Sequence, residues 1–361
     1  MEIIDNPWRG RGIEGLGPMP SIEAEAVAQL LAYCPAHLPT PLLSRPGLAA
    51  QTGLGQLRLK DERARMGLGS FKALGAAYAI ARDAAAAVSD PAAAAPEDWA
   101  QALAGRAYVT ASAGNHGLSV AAGARVFGAQ ATVHVAGSVP DGFAARLRAM
   151  GARVTRSGAV YEEAMAAAEA EGQTGAAQLL SDSSWPGYTE PPFRVMEGYL
   201  QMAAEAAEAL ATGDTVPDLI MLQAGVGGMA AAVAAYARHR WGDEPRIVVV
   251  EPAAAPALVE GIRAGRVVDT EGPVSSMGRL DCKTASMIAL AGLARDADLF
   301  ATIGEKEAAA GVAALAEHEI ETTPSGGAGI AALVVADDLN VFGVAPGATG
   351  LAFLSETGEA A

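Results

Sequence analysis

The chain has 361 residues, of which 51% are hydrophobic and 18% are charged, and its formal net charge at pH 7 is -16. This length allows two domains, and this apolar content supports a large buried core. The negative charge and an aromatic content of only 5% argue against a nucleic-acid-binding protein, because binding to a phosphate backbone relies on clustered positive charge.

The first residues and the cysteines indicate a cytoplasmic protein. Residues 1–8 lack the basic stretch and the apolar core of a signal peptide. Every long apolar run is interrupted by glycine, proline or charge, so we expect no membrane-spanning segment. Cys34 and Cys282 are too few and too far apart for a metal site or a disulfide framework.

Strand and helix signals alternate along the chain and predict a doubly wound α/β architecture with parallel sheets. Short runs rich in β-branched residues predict strands at 57–60, 108–110, 129–135, 152–155, 219–222 and 246–250. Helical stretches are predicted at 115–127, 143–150, 193–211 and 230–238. The alanine tract at 84–95 is interrupted by serine, aspartate and proline, so we predict a loop between helices there.

This alternation predicts two domains. Residues 76–190 would form a smaller α/β domain, because strands and helices follow one another there in a compact βαβ pattern. Residues 1–75 together with 191–361 would form a larger, discontinuous domain, with the strand at 57–60 packed onto it. The chain shows no internal repeat.

Lys72 is the first candidate functional residue. It lies at a predicted helix start, in Ser70-Phe71-Lys72-Ala73-Leu74-Gly75. Taken alone, a lysine on a solvated first turn is the commoner case. A lysine removed from water loses its charge more easily, however, and a neutral amine is the nucleophile that forms Schiff bases with aldehydes. The reactive interpretation therefore depends on the motifs that accompany Lys72.

Two further motifs lie where a predicted strand gives way to a helix. In Gln223–Met229, the glycines allow backbone N–H groups to converge on an anion at a helix N-terminus, which indicates a phosphate cup. A tight strand-to-helix turn is the rival interpretation. In Thr110–Gly117, small residues permit close approach of a flat ligand, and Asn115 either offers its amide to an oxygen of that ligand or caps the helix. His116 is interpreted as a structural histidine.

The remaining polar segments give weaker signals. Ser325, in Thr322–Gly329, is a helix cap by default, although its hydroxyl could instead bind a heterocycle nitrogen. The segment 277–283 is interpreted as a solvated loop, with a place beside the substrate as the alternative. Cys282 is interpreted as a small filler, because no neighbour in sequence lowers its pKa. Glu251 ends a predicted strand at the edge where ligands gather in such folds.

Taken together, these motifs resemble, in order and spacing, those of the fold type II pyridoxal-phosphate enzymes. That family includes serine and threonine dehydratases, cysteine synthases and the tryptophan synthase β chain. The resemblance covers residues 40–335 and is greatest to the diaminopropionate ammonia-lyases. Met66–Ala79 resembles their lysine segment, Gln223–Met229 their phosphate loop, and Ser181–Tyr188 carries their Asp-x-x-Trp-x-Gly-Tyr pattern.

The resemblance implies a role for each matching residue. Lys72 would form the Schiff base with pyridoxal 5'-phosphate, and Lys72 or Asp182 would remove the Cα proton of an amino acid substrate. Asp182 would be the candidate acid if the leaving group needs a proton. The cofactor would be held by Asn115 at the ring hydroxyl, by Ser325 at the ring nitrogen, and by Gly225, Val226, Gly227, Gly228 and Met229 at the phosphate. The substrate carboxylate would lie at Ser112, Ala113 and Gly114.

Ala113 departs from the lyase pattern, because the lyases have at this position an aspartate that helps to process one substrate enantiomer. The favoured function is α,β-elimination from a β-substituted α-amino acid of the 2,3-diaminopropionate type, which yields a 2-oxo acid and ammonia. A 3-hydroxy amino acid dehydratase, acting on phenylserine, hydroxyaspartate, serine or threonine, is the alternative that Ala113 keeps open. A non-catalytic sensor that binds the cofactor is the alternative from another class, and the intact Lys72, Asn115, Asp182 and Ser325 count against it.

The resemblance also implies a homodimer with a small-molecule amino acid as its partner. Neither a nucleic acid nor a membrane is expected as a partner. Activation by a monovalent cation occurs on this fold, but no motif of this chain indicates it.

Overall fold

A computed structural model describes residues 1–358 as helices packed around two β-sheets. The strands are β1 (Glu2–Asp5), β2 (Leu42–Ser44), β3 (Gln56–Asp61), β4 (Ala107–Ala111), β5 (Gln130–Val135), β6 (Arg153–Arg156), β7 (Gln178–Leu179), β8 (Leu219–Gln223), β9 (Arg246–Pro252), β10 (Leu299–Ile303) and β11 (Thr349–Leu354). Short 3-10 helices lie at Arg65–Gly67 and Leu339–Phe342.

The α-helices fill most of the intervals between these strands. They are α1 (Ala24–Leu31), α2 (Pro46–Gln51), α3 (Lys72–Ala87), α4 (Pro96–Gln101), α5 (Asn115–Val126), α6 (Asp141–Ala149), α7 (Tyr161–Gln173), α8 (Glu190–Gly198), α9 (Leu200–Ala211), α10 (Gly228–Trp241), α11 (Ala257–Ala264), α12 (Met287–Asp296), α13 (Glu305–Glu317) and α14 (Ala328–Val334). Among the described residues, none of these helices has the length and apolar character needed to cross a membrane.

The predicted α/β architecture is confirmed in both sheets. The larger sheet has seven strands in the order β1-β10-β9-β8-β11-β3-β2, and the smaller has four in the order β6-β5-β4-β7. All pairs of the smaller sheet and the inner pairs of the larger sheet are parallel. The edge strands β1 and β2 pair antiparallel, which the sequence did not predict. Both are short and only partly buried, so they lack the continuous apolar run of an inner strand.

Two predicted boundaries differ from the structure. The loop predicted from residue 84 begins later, because α3 continues through Ala87. The single helix predicted at 193–211 is wrong, because α8 and α9 are separated at Tyr199. Gly198 lies so close to α3 that an added Cβ would meet the carbonyl oxygen of Leu74 at 2.6 Å. The interruption therefore follows a glycine, a weak helix former, that close packing against α3 requires.

Buried ion pairs hold the segment that leads into α3. The Arg65 guanidinium donates to Glu62 Oε2 at 2.7 Å and to Glu205 Oε2 at 2.7 Å, and Lys60 Nζ lies 2.5 Å from the same Glu205 oxygen. Burial by itself would raise the pKa of Glu205, but its partners Arg65 and Lys60 outweigh burial and hold that pKa at about 2. The network thereby fixes the chain seven residues before Lys72.

We expect this network to make stability depend on acid pH. The pKa of Glu205 is lowered on folding from 4.5 to about 2, so its contribution is present above pH 4.5 and is lost as the pH falls toward 2. Glu205→Gln removes the carboxylate from two buried cations and should lower the free energy of unfolding by about 3–5 kcal/mol at neutral pH. Urea unfolding at a series of pH values measures both effects.

Glu208→Gln is the matched control, because Glu208 is an exposed residue of the same helix. The control should keep the wild-type stability. The E205Q variant should also lose less stability than the wild type between pH 4.5 and 2. Equal slopes for the two proteins in that interval would contradict the assignment.

Candidate active site

A cavity of about 850 Å³ is lined by loops that belong to both sheets. Its wall includes the loop after β4, the segment after β7, the turn between β8 and α10, and the residues that follow β11. Such loops meet because the carboxyl ends of parallel strands lie at one edge of a sheet. Every residue predicted to bind or react lies in this wall: Lys72, Ser112, Ala113, Gly114, Asn115, Asp182, Gly225, Val226, Gly227, Gly228, Met229 and Ser325. The role assigned to each of them stays a prediction.

Lys72 and Asp182 form an ion pair in the cavity wall. Lys72 is the first residue of α3, Asp182 follows β7, and the Lys72 Nζ donates to Oδ2 of Asp182. Both side chains are largely buried, with 22% and 19% of their surface exposed. The Lys72 Nζ also lies 5.3 Å from the ring centroid of Phe71 and 5.9 Å from that of Tyr199. Aromatic rings at these distances stabilise the charged form of the amine.

The pair shifts the protonation of both partners. Burial by itself would lower the pKa of Lys72, but the charge of Asp182 outweighs burial and places that pKa above its usual range. For Asp182, burial would raise the pKa, whereas the charge of Lys72 holds it well below its usual range. Burial alone would favour the neutral amine of Lys72, and a carboxylate in contact with the amine reverses this effect.

The turn between β8 and α10 forms a cup of backbone groups. Gly227 has a φ of 96°, a left-handed conformation that favours glycine, and α10 begins at the next residue. At Gly225, an added Cβ would lie 3.0 Å from both Leu280 Cα and Cys282 Sγ. The first N–H groups of a helix have no partner within that helix, so those of α10 are available to an anion.

The loop between β4 and α5 is held by its own side chains. The hydroxyl of Ser112 accepts the N–H of Gly114 at 3.1 Å and that of Gly117 at 3.0 Å. Asn115 is not the cap of α5, because Gly114 occupies the capping position. The Asn115 amide instead donates to Glu356 Oε2 at 2.6 Å. The structure thus removes the capping explanation for Asn115 and connects it to a residue that follows β11.

His116 is a buried neighbour of the ion pair. Its Nε2 lies 2.9 Å from the carbonyl oxygen of Leu180, so Nε2 carries the proton, since a carbonyl only accepts. Its Nδ1 has no hydrogen-bond partner among residues 1–358. Burial lowers the pKa of His116, and the charge of Lys72 adds to this effect. His116 is therefore neutral at neutral pH and orients the segment that carries Asp182.

Residues 278–283 line the cavity, while Gly278 and Arg279 are also exposed, so the place of this loop beside the substrate stays a prediction. Burial raises the pKa of the Cys282 thiol to about 12, which leaves little thiolate at neutral pH and agrees with a filler. Lys283 Nζ is paired with Asp281 Oδ1 at 2.6 Å. Glu251 is not among the lining residues. Its carboxylate accepts the N–H groups of Leu258 and Val259 at 2.8 Å each, at the start of α11.

Sequence reasoning missed two groups of lining residues. Ser355 and Glu356 follow β11, and their polarity directly after an apolar strand was the signal that could have found them. Tyr161, Glu162, Met165 and Glu169 lie on one face of α7, which was not predicted as a helix. The described residues contain no group of three or more His, Cys, Asp and Glu side chains arranged to hold a metal ion.

Comparison with protein families matches residues 33–347 to the family described as pyridoxal-phosphate dependent enzyme. The diaminopropionate ammonia-lyase of Salmonella typhimurium (strain LT2) is 35% identical over 240 residues, which are 63% of this chain and 58% of that protein. The diaminopropionate ammonia-lyase of Escherichia coli (strain K12) is 31% identical over 251 residues, 68% of this chain and 63% of that protein. The chain thus spans about three fifths of the length of these curated relatives.

Comparison with solved structures finds a similar fold. The crystal structure of diaminopropionate ammonia lyase from Escherichia coli in complex with D-serine superimposes with a TM-score of 0.88. The sequence identity is 25%, and the match covers 99% of this chain and 93% of that chain.

The ion pair predicts how Lys72 responds to loss of its partner. Asp182→Asn removes the charge that raises the pKa of Lys72 and leaves burial, which lowers it, so we expect this pKa to fall below its usual range. Isotope-labelled reductive methylation of the lysines, followed by NMR titration of the protein freed of small molecules, measures this value directly. Asp281→Asn is the control, because Asp281 lines the same cavity but pairs with Lys283. A Lys72 resonance that titrates alike in D182N and wild type would contradict this account.

Proposed function

Since the chain belongs to the family of pyridoxal-phosphate-dependent enzymes, we propose that it is an ammonia-lyase that eliminates the β-substituent of an α-amino acid. The products are a 2-oxo acid and ammonia, and the substrate is of the 2,3-diaminopropionate type. The observation that carries this proposal is the ion pair of Lys72 with Asp182 in one cavity with the glycine cup at the start of α10.

The residues of the cavity fit pyridoxal phosphate. Lys72 supplies the amine for the aldehyde, and the backbone of 225–229 supplies N–H groups for the phosphate at a helix N-terminus. An added Cβ at Gly225 would meet Leu280 and Cys282, which explains why this turn needs a residue without a side chain. When bound, the cofactor acts as an electron sink for the α-carbon of the amino acid.

In the proposed reaction, Lys72 takes up the proton of the substrate, and Asp182 supplies a negative charge beside it. Lys72 removes the Cα proton, which requires that its amine has lost the proton it holds in the ion pair. While Lys72 is an ammonium, Asp182 stays a carboxylate, because the charge of Lys72 holds its pKa well below the usual value. A carboxylate of this kind stabilises positive charge beside it and accepts protons, but it does not donate them at neutral pH.

This protonation state favours an amine as the leaving group. A β-ammonium group already carries the proton with which it departs as ammonia, and the Asp182 carboxylate attracts its positive charge. A β-hydroxyl group departs as water only if an acid donates a proton, and Lys72, which carries the proton taken from Cα, would have to be that acid, because His116 and Asp182 both have pKa values below their usual ranges. The role of Asp182 as an acid, which the sequence left open, therefore requires that Lys72 is uncharged, so that burial can raise the pKa of Asp182.

Ala113 supports a restricted stereochemistry and keeps a second candidate open. The relatives' aspartate helps to process one enantiomer, and alanine has no group that transfers a proton, so we propose that this enzyme acts on one enantiomer only. A 3-hydroxy amino acid dehydratase is the second candidate, and the observation that favours it is Ala113 at this position of the cavity wall.

The proposal includes the setting of the enzyme. By its likeness to the family, the chain would act in the cytoplasm as a homodimer, with residues 76–190 as its smaller domain. Size-exclusion chromatography with light scattering measures the oligomeric state, and a monomer would contradict that part of the proposal.

The cofactor and the reaction are tested in turn. Purified protein mixed with pyridoxal phosphate should develop a visible absorption band that Lys72→Ala lacks, because the other lysine of the cavity wall, Lys283, is paired with Asp281. Ammonia and 2-oxo acid are then measured with β-amino and β-hydroxy amino acids of both configurations. We expect turnover of one enantiomer of 2,3-diaminopropionate and a loss in D182N of at least about 100-fold.

Asp281→Asn serves as the control for the second step and should stay within a few-fold of wild type, since Asp281 does not pair with Lys72. Turnover of β-hydroxy but not β-amino substrates would replace the lyase with the dehydratase. Absence of any visible band in wild type would overturn the cofactor itself.

A further inference from the structure

We propose that Glu356 is a positioning residue of the cofactor site, which orients the amide of Asn115 and places a negative charge beside the ring of the bound cofactor. The inference rests on the proposed function only in that it requires pyridoxal phosphate to bind in the cavity. It adds a carboxylate to the residues that the motifs predicted.

The backbone of Glu356 is tied to the segment that leads into Lys72. Glu356 forms an antiparallel bridge with Ser70. On either side of it, the N–H of Phe71 donates to the carbonyl oxygen of Ser355 at 3.0 Å, and the N–H of Thr357 donates to that of Gly69 at 2.9 Å. The position of Glu356 relative to Lys72 is therefore set by main-chain hydrogen bonds.

The carboxylate of Glu356 contacts three separate segments of the cavity wall. Its Oε2 accepts the Asn115 amide at 2.6 Å and lies 3.1 Å from Arg279 Nε, and its Oε1 accepts the hydroxyl of Thr323. Only 4% of Glu356 is exposed, so the carboxylate itself is buried, while Asn115 and Arg279 are partly exposed. Hydrogen bonds to a buried ionised group are stronger than those between neutral groups, and they hold their partners in one orientation.

Both residues predicted to bind the cofactor ring are connected to this carboxylate. Asn115 donates to it directly, and Ser325 accepts the backbone N–H of Arg279 at 3.1 Å. An amide carries two N–H donors, so the contact with Glu356 occupies one and directs the other. If Glu356 is removed, the amide is free to rotate. The orientation of Asn115 toward the cavity therefore depends on a residue 241 positions away in the chain.

The negative charge of Glu356 should also affect the protonation of the bound cofactor, apart from the orientation of Asn115. A carboxylate stabilises any protonated, positively charged form of a nearby group and so raises the pKa of that group. The visible absorption of the bound cofactor changes with its protonation and reports this pKa. Loss of the negative charge, with Arg279 left in place, should move the midpoint of the absorption change to lower pH.

Three variants separate orientation from charge. Glu356→Gln keeps the shape and removes the charge, Glu356→Asp keeps the charge on a shorter side chain, and Glu356→Ala removes both. Glu162→Gln is the control, because Glu162 lines the same cavity from α7 and has no hydrogen bond to Asn115 among the described residues. The holoenzyme of each is titrated from acid to alkaline pH in the visible range, and its dissociation constant for pyridoxal phosphate is measured.

We expect E356Q to lower the midpoint of the absorption change by about one pH unit or more. E356D should keep the wild-type midpoint but bind the cofactor more weakly, because its carboxylate no longer reaches Asn115. E356A should show both changes, with affinity reduced by roughly 10- to 100-fold for loss of a charged hydrogen bond. The E162Q control should match wild type in both measurements.

The possible failures are distinct from one another. Wild-type protein that binds no pyridoxal phosphate would refute the proposed function. Wild-type protein that binds it, with E356Q unchanged in midpoint and affinity, would overturn the role of Glu356 alone. Because E356Q is nearly isosteric, the conclusion does not depend on whether E356A folds.

Discussion

The contact on which the candidate site depends is the ion pair between Lys72 and Asp182. It joins the start of α3 to the segment after β7, and thus joins structure around the larger sheet to structure around the smaller one. Two opposite charges that are each about four fifths buried stabilise one another, whereas either alone would be forced toward its neutral form. The pair therefore keeps both Lys72 and Asp182 charged, because their mutual attraction opposes the effect of burial on their pKa values.

Charges paired in the interior recur around this site. Arg65, Lys60, Glu62 and Glu205 lock the chain before α3, and Glu356 with Arg279 lies among the residues assigned to the cofactor ring. A buried charge is costly without a partner, and Glu205 and Glu356 each pair with cations from a distant part of the sequence, whereas Glu62 pairs with its neighbours Lys60 and Arg65. Such pairs lie at the entry to α3 and beside Asn115, and a further one, Arg238 with Asp298, lies away from the cavity.

Several features of the fold and site were predictable because they are local. The run at 219–222 and, after Arg246, the run at 247–250 are apolar throughout, which is what a strand covered on both faces requires, and both lie in inner strands. The glycines of 225–228 predicted a turn between a strand and a helix, and the structure has one there. The break between α8 and α9 was not predictable, since it follows the packing of Gly198 against α3, and neither segment signals that contact. Strands β1, β2 and β7 were missed because they are short and not fully buried, whereas β10 and β11 were missed although they are buried inner strands.

The sequence by itself determined the order of the motifs, the alternation of strands and helices, and the residue types available for chemistry. Those are properties of neighbouring residues, which local patterns reveal. Only the tertiary structure decided the partners: Lys72 meets Asp182 across 110 positions, and Asn115 meets Glu356 across 241. These contacts in turn decided which groups are protonated, because the pKa of a buried group depends on the charge it contacts. Lys72 is therefore held as an ammonium by an aspartate that only folding brings to it.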